Sequence, residues 1–221
     1  MPVMRVREGV KLQPRDPNDF YPTSPHVARS AIDLALSMRV FAEPIRIVDP
    51  GAGTGVWGEV AAGYFDTPEI VGVEFRTVKP NPVYTEWITG DFRLITPKPA
   101  HLVLGNPPFK YAEQFVRQSV ELVQPLQGAI MFLLPLNFLA GESRRLGLWA
   151  EYPINDVFIL SRRPSFIHSG KKKGNTDATE YALFWWDFTR LNRITPSFIG
   201  YLGIIAPPAA NGQVRGNHDH A

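Results

Sequence analysis

The chain has 221 residues, of which 44% are hydrophobic and 20% are charged, which is the composition of a globular protein with a buried core. Its 23 basic and 21 acidic side chains nearly cancel, so the chain as a whole does not have the charge of a polyanion-binding or membrane-binding protein. Cysteine is absent, which excludes disulfides, cysteine-ligated zinc and a thiol nucleophile.

No apolar stretch is long enough to span a bilayer, and the first residues lack the apolar region of a signal peptide. We therefore expect a soluble, cytoplasmic protein with no membrane partner. Residues 1–20 are polar and interrupted by prolines, which predicts an N-terminal arm. We expect residues 21–190 to form one domain and residues 191–221 to form a tail that is partly disordered.

Short apolar runs alternate with helical patterns along the predicted domain, which indicates an α/β fold with a mostly parallel sheet and helices on both faces. A first helix is predicted from Pro25, because proline suits the first position of a helix. Seven strands are predicted, at residues 45–49, 70–74, 84–89, 101–105, 129–134, 156–161 and 181–187. Further helices are predicted at 58–64, 111–123 and 143–149. The last predicted strand follows a loop with no apolar period, so we expect it to be antiparallel.

A glycine-rich turn, DPGAGTG at residues 49–55, follows the first predicted strand. Gly51, Gly53 and Gly55 allow the backbone to turn sharply and to bring its amides close to a ligand at the start of a helix. The second predicted strand ends in Glu74, whose carboxylate can accept hydrogen bonds from both hydroxyls of a ribose. These features predict a cofactor that contains a nucleoside.

The glycine turn alone does not identify that cofactor. Residues 53–58 also match GxGxxG, the fingerprint of dinucleotide binding, so NAD remains an alternative. Asp49 argues against NAD, because a carboxylate at the end of the first strand would repel a pyrophosphate. The same carboxylate would favour the positively charged methionine part of S-adenosylmethionine. A glycine turn that binds no ligand is the remaining alternative.

The fourth predicted strand leads directly into Asn106-Pro107-Pro108-Phe109. The two prolines fix an extended turn and remove two amide donors, which leaves the Asn106 side-chain oxygen and the Pro107 carbonyl as acceptors. Two converging acceptors can hold both hydrogens of a planar exocyclic amine, and Phe109 adds an aromatic face on which a base can stack. A rigid turn with a buried phenylalanine is the alternative.

The glycine turn and the Asn-Pro-Pro-Phe segment, in this order, resemble the S-adenosylmethionine-dependent adenine-N6 DNA methyltransferases. Tyr21, Thr23 and Pro25 lie in a segment that resembles the family's N-terminal motif, which contacts the methionine part of the cofactor. Asp91 and Phe92 lie in a segment that resembles the motif contacting the cofactor's adenine. The order of the motifs is similar to the gamma arrangement, and residues 163–166, 176–177 and 180–186 resemble small phage-type members.

The resemblance covers roughly residues 20–190 and implies a class I methyltransferase domain with a Rossmann-like fold. It implies S-adenosylmethionine as cofactor, with contacts from Asp49, Glu74 and Asn106 in addition to the glycine turn. A flipped adenine would lie over Phe109 while Asn106 and Pro107 hold its N6 amine, and this chemistry needs no metal. The expected substrate is double-stranded DNA in a prokaryotic or phage-infected cell, and the expected enzyme is a monomer or a homodimer.

Two other substrate classes and one other kind of protein remain as alternatives. The same chemistry would serve an RNA base or the glutamine amide of a protein, because each presents a planar nitrogen. An inactive module that only binds a cofactor or DNA is a further alternative from a different class.

Positive charge is concentrated in the predicted loop at residues 162–180. We predict that this loop contacts nucleic acid, whereas a solvated loop with no partner is the alternative. A methyltransferase domain of this length leaves no room for a separate target-recognition domain, so we expect a short or loose recognition sequence. The predicted nucleic-acid contacts are Arg162, Arg163, Lys171, Lys172 and Lys173.

Overall fold

The computed structural model describes residues 22–66, 68–95, 98–162, 164 and 179–189, and the backbone of residues 198–202. Its strands are β1 (Arg46–Pro50), β2 (Glu69–Glu74), β3 (Glu86–Thr89), β4 (Leu102–Gly105), β5 (Ala129–Pro135), β6 (Asp156–Leu160), β7 (Tyr181–Asp187) and β8 (Phe198–Leu202). Its α-helices are α1 (Pro25–Met38), α2 (Val56–Ala61), α3 (Ala112–Val123), α4 (Glu142–Leu146) and α5 (Leu148–Glu151). Short 3-10 turns at Phe109–Tyr111, Gln124–Leu126 and Leu136–Leu139 connect several of these elements.

All eight strands form one sheet in the order β3-β2-β1-β4-β5-β7-β6-β8. Every neighbouring pair is parallel except the two pairs that involve β7. The chain therefore moves outward from β1 in one direction through β2 and β3, and in the other direction through β4 and β5. The switch point lies between β1 and β4, where ligands bind in open α/β sheets, outside the carboxyl ends of the strands.

The prediction of a mostly parallel sheet with an antiparallel strand at residues 181–187 is confirmed, and the predicted bounds of β7 match the observed ones. All seven predicted strands are present in the sheet, and β8 pairs in parallel with β6 as an additional, eighth strand of the described residues. We missed β8 because Gly200 interrupts its short apolar run and glycine weakens a strand pattern. It lies in the segment for which we predicted a tail.

The core lies on both faces of the sheet, and the central strands are apolar on both faces because helices cover them. β5 shows this most clearly, since six of its seven residues are buried. Trp185 and Trp186 on β7 are both fully buried and belong to the cores on opposite faces. α1 packs an apolar face onto one side, with Ile32 among its buried residues. Among the described residues, no helix is long and apolar enough to cross a membrane.

Candidate functional site

A cavity of about 240 Å³ opens at the carboxyl edge of the sheet, beside the switch point between β1 and β4. Residues that follow β1, β2, β3 and β4 line it, together with two residues that precede α1. The sequence-predicted site residues in its wall are Thr23, Gly51, Gly53, Glu74, Asp91, Phe92 and Asn106. The fold therefore brings residues from positions 23 to 106 of the chain together around one cavity.

The glycine turn lies between β1 and α2, and it needs its glycines for their backbone conformation. Gly51, Gly53 and Gly55 have φ angles of 77°, 59° and 94°, a region that residues with a side chain rarely adopt. At Gly55 a Cβ would also lie 2.6 Å from Asn81 Nδ2. The Gly51 amide donates a hydrogen bond of 2.8 Å to Val73 O, which anchors the turn against the end of β2.

Glu74, at the end of β2, is buried with 4% of its surface exposed. The Gly53 amide donates to its Oε2 at 2.7 Å, and Nε of Arg76 donates to its Oε1 at 2.7 Å. Burial opposes ionisation of this carboxyl, but these hydrogen bonds outweigh burial and lower its pKa. Glu74 is thus held as a carboxylate that links the glycine turn to the loop after β2.

Asp91 and Phe92 follow β3 on the same side of the cavity. Nε of Arg93 donates to the two carboxylate oxygens of Asp91 at 2.9 and 3.1 Å, and these hydrogen bonds lower the pKa of Asp91. The Arg93 guanidinium also lies over the Tyr111 ring, 3.9 Å from its centroid. Phe92 is buried against Phe115, with 5.1 Å between the ring centroids. Arg93 therefore connects the loop after β3 to the segment after β4.

Asn106 directly follows β4, and its side-chain oxygen is buried in the cavity wall. Pro108 also lines the cavity, whereas Pro107 is buried and does not line it. Phe109 does not line the cavity and packs against Tyr181 of β7, with 5.7 Å between the ring centroids. The assignment of Pro107 and Phe109 to a base-binding surface remains a prediction.

Asp49 is fully buried at the end of β1 and does not line the cavity. Burial raises its pKa to about 7, although Tyr84 Oη donates a hydrogen bond to Asp49 Oδ2 at 2.6 Å. Burial and the neighbouring charge of Asp49 raise the pKa of Tyr84 in turn. Because Asp49 has no direct surface in the cavity, any effect of its charge on a ligand would act through the intervening turn.

The remaining predicted residues are placed differently. Thr23 is buried and accepts a hydrogen bond of 3.3 Å from Trp57 Nε1, which fixes the segment before α1 to α2. Pro25 occupies the first position of α1 and is exposed, outside the cavity wall. Gly55 shapes the turn without lining the cavity. Tyr21 lies outside the described residues.

The predicted basic loop is described only at its start. Arg162 is exposed and lies two residues after the end of β6. The other predicted nucleic-acid contacts, Arg163, Lys171, Lys172 and Lys173, lie outside the described residues, as do the resemblance-bearing residues 176–177. The expected contact of this loop with nucleic acid stays a prediction.

Several residues of the cavity wall were missed from the sequence. They are aromatic or basic and stand just after predicted strands or in the first turn of a helix, which is the signal that could have found them. The missed residues are Trp57, Phe75, Arg76, Arg93, Lys110, Tyr111 and Phe115. Phe75 is 72% exposed directly after Glu74, so it offers an apolar surface at the rim.

Comparison with solved structures identifies the fold. A predicted O-methyltransferase from Agrobacterium tumefaciens has a TM-score of 0.53 at 14% identity, with 81% of this chain and 85% of that chain covered. The fold is that of the class I methyltransferases. A protein named as a hemolysin from Lactococcus lactis also has a TM-score of 0.53, at 10% identity, with 78% of this chain and 91% of that chain covered.

A second protein named as a hemolysin, from Streptococcus thermophilus, has a TM-score of 0.50 at 12% identity and covers 78% of this chain and 67% of its own. No protein-family model and no curated protein sequence matches this chain. The likeness thus establishes the Rossmann-like fold, and the function has to be argued from the site.

Proposed function

We propose that this chain is an S-adenosylmethionine-dependent methyltransferase that modifies the N6 amine of adenine in DNA. One observation carries the proposal: the glycine turn, the Glu74 carboxylate and Asn106 line the same cavity at the switch point of the sheet. We term β1, β2 and β3 the cofactor half of the sheet, and β4, β5, β7 and β6 the substrate half.

The residues around the cavity fit S-adenosylmethionine chemically. Gly51 and Gly53 line the cavity without side chains, so a ligand can approach the turn closely, and the buried Glu74 carboxylate would accept hydrogen bonds from a ribose. Asp91 and the exposed ring of Phe75 also line the cavity, and they would offer the adenine a hydrogen-bond acceptor and an apolar face. Since Arg76 now donates to both oxygens of Glu74, ribose hydroxyls would have to replace at least one of those bonds.

S-adenosylmethionine, when bound, supplies an electrophilic methyl group and leaves as S-adenosylhomocysteine. The chain's own task is to hold the amine in line with that methyl group and to support the positive charge that develops on nitrogen. Asn106 Oδ1 and the Pro107 carbonyl would accept hydrogen bonds from the amine, and the proton released after transfer would pass to solvent. Reaching the cavity requires the adenine to leave its stack in the duplex.

The test is mass spectrometry of nucleosides after incubation of native DNA, denatured DNA, RNA and protein with the enzyme and S-adenosylmethionine. We expect N6-methyladenine in DNA. Methylation of RNA or of a glutamine amide, with none in DNA, would keep the chemistry and overturn the substrate. Calorimetry that detects no S-adenosylmethionine binding, or detects NAD binding instead, would overturn the cofactor.

A further inference from the structure

The carboxyl edge of the substrate half carries a row of cations that begins with Lys110 in the cavity wall and continues away from the cofactor half. We propose that duplex DNA lies across this edge and that its phosphates contact Lys110, Arg145 and Arg162. The inference rests on the proposed function for the identity of the polyanion. It adds two residues, Lys110 and Arg145, that sequence analysis did not assign.

The topology places these three residues at one edge. Strands β4, β5 and β6 all run in the same direction, because β5 and β6 are both antiparallel to β7 and β4 is parallel to β5. Residues that follow these strands therefore emerge on the same side as Asn106. Lys110 follows β4, Arg145 lies on α4 after β5, and Arg162 follows β6.

The spacing of the strands suits a nucleic-acid backbone. β5 and β7 separate β4 from β6 in the sheet, so the ends of β4 and β6 are about 14 Å apart at the usual strand spacing. That distance is about four base-pair steps along the axis of duplex DNA. The row starts beside Asn106, where the flipped adenine would enter, and continues away from the cofactor half.

The charges of this row are accessible to solvent. Lys110 and Arg162 are exposed, and the side chain of Arg145 is 67% exposed. Its ion pair with Glu142 spans 3.9 Å between two exposed side chains, a geometry that contributes little to stability. A phosphate can therefore compete for Arg145.

Arg144 and Glu180 are two further charged residues at this edge. Nε of Arg144 donates to Ala140 O at 2.9 Å, and its guanidinium lies 5.1 Å from the centroid of the Phe138 ring. Arg144 thus has a fixed position, which adds positive charge beside Arg145. Glu180, exposed just before β7, is an acidic side chain at the same edge, and it reduces the net positive charge there.

The experiment measures the salt dependence of binding to a short labelled DNA duplex by fluorescence anisotropy, with S-adenosylhomocysteine present. The test variant combines Lys110→Gln, Arg145→Gln and Arg162→Gln. The matched control combines Arg29→Gln, Lys79→Gln and Lys98→Gln, which removes the same charge from exposed sites on α1, after β2 and before β4. Thermal melting confirms that both triple variants are folded.

We expect the slope of log affinity against log salt to decrease by about three in the test variant, one for each phosphate contact. Affinity at moderate salt should fall on the order of 100-fold. In the control variant, the slope should decrease by less than one. Equal slopes for the two variants would overturn the inference, because the effect would then be one of total charge.

Two further arms separate this inference from the proposed function. DNA binding that responds to the test variant, in an enzyme that methylates no DNA, would support the surface and overturn the function. If the enzyme methylates DNA but the salt slope of the test variant is unchanged, the proposed function would be supported and the DNA-binding surface would be overturned. A labelled RNA duplex identifies the polyanion: a response for RNA with none for DNA would overturn the choice of DNA.

Discussion

The two halves of the sheet present different surfaces at the same carboxyl edge. In the cofactor half, Arg76 and Arg93 each donate hydrogen bonds to a carboxylate two residues earlier, Glu74 and Asp91, around a concave cavity. In the substrate half, Lys110, Arg145 and Arg162 are exposed to solvent.

This difference would suit the two ligands that we propose for this edge. A nucleoside needs acceptors held in fixed positions, and the local arginine pairs provide that order. A polyanion needs cations that are accessible from solvent. Asn106 stands where the two surfaces meet.

The largest effect should come from substituting Asn106, which lies between the cofactor half and the substrate half. Asn106→Ala removes the proposed acceptor for the amine, so we expect kcat to fall about 1000-fold. Cofactor affinity, measured by calorimetry, should change less than about fivefold. Asn137→Ala, at an exposed asparagine after β5, is the control and should keep wild-type kcat. Retained activity in Asn106→Ala would contradict the assignment.

The next effect concerns the cofactor half alone. Glu74→Gln removes the carboxylate that would bind two ribose hydroxyls, so we expect cofactor affinity to fall about 100-fold by calorimetry. DNA affinity should be unchanged, because the substrate half is untouched. Glu59→Gln, at an exposed acid of α2, provides the comparison. A similar loss of cofactor affinity in both variants would contradict the assignment of Glu74 to the cofactor site.

The pH dependence of stability tests the buried carboxyl beneath the cofactor half. The pKa of Asp49 is raised from 3.8 to about 7 in the folded chain, so between these values the folded state binds the proton that the unfolded state has lost. Folding stability should therefore fall as pH rises from 5 to 7. Asp49→Asn should reduce this fall by on the order of 2 kcal/mol, as measured by urea unfolding at pH 5 and pH 8. Identical pH profiles for the variant and the wild type would show that Asp49 is already ionised.

The smallest effect should come from loosening the link between the loops after β3 and β4. Arg93→Gln loses the bonds to Asp91 and the contact with Tyr111, so we expect KM for the cofactor to rise about tenfold with kcat nearly unchanged. Arg117→Gln is the matched control, since Arg117 also pairs with carboxylates and contacts a tyrosine ring, on α3 and away from the cavity. A loss of kcat in Arg93→Gln without a change in KM would contradict this positioning role.

Much of the fold could be predicted because its signals are local. β5 and β7 are continuous apolar runs, and the glycine turn needs residues that tolerate positive φ. β8 could not be predicted in the same way, because Gly200 weakens its pattern and its pairing with β6 depends on an edge that exists only in the assembled sheet.

The site was predicted less completely than the fold. Glu74, Asp91 and Asn106 line the cavity as their positions after strands suggested. The sequence predicts that Asp49 contacts the cofactor, yet Asp49 is fully buried, does not line the cavity and accepts a hydrogen bond from Tyr84. Its exposure depends on how residues 84 and 105 pack around it, and sequence spacing carries no information on that packing.

The sequence by itself determined the α/β class, the glycine turn and the order of the motifs, because periodicity and backbone constraints act within a few residues. Only the tertiary structure decided that Arg76 and Arg93 hold the two cavity carboxylates and that Phe109 packs on Tyr181. It also decided that Lys110, Arg145 and Arg162 share one edge, because that depends on the direction and order of strands far apart in the chain. Long-range pairing in the sheet creates these neighbours, and no local pattern encodes them.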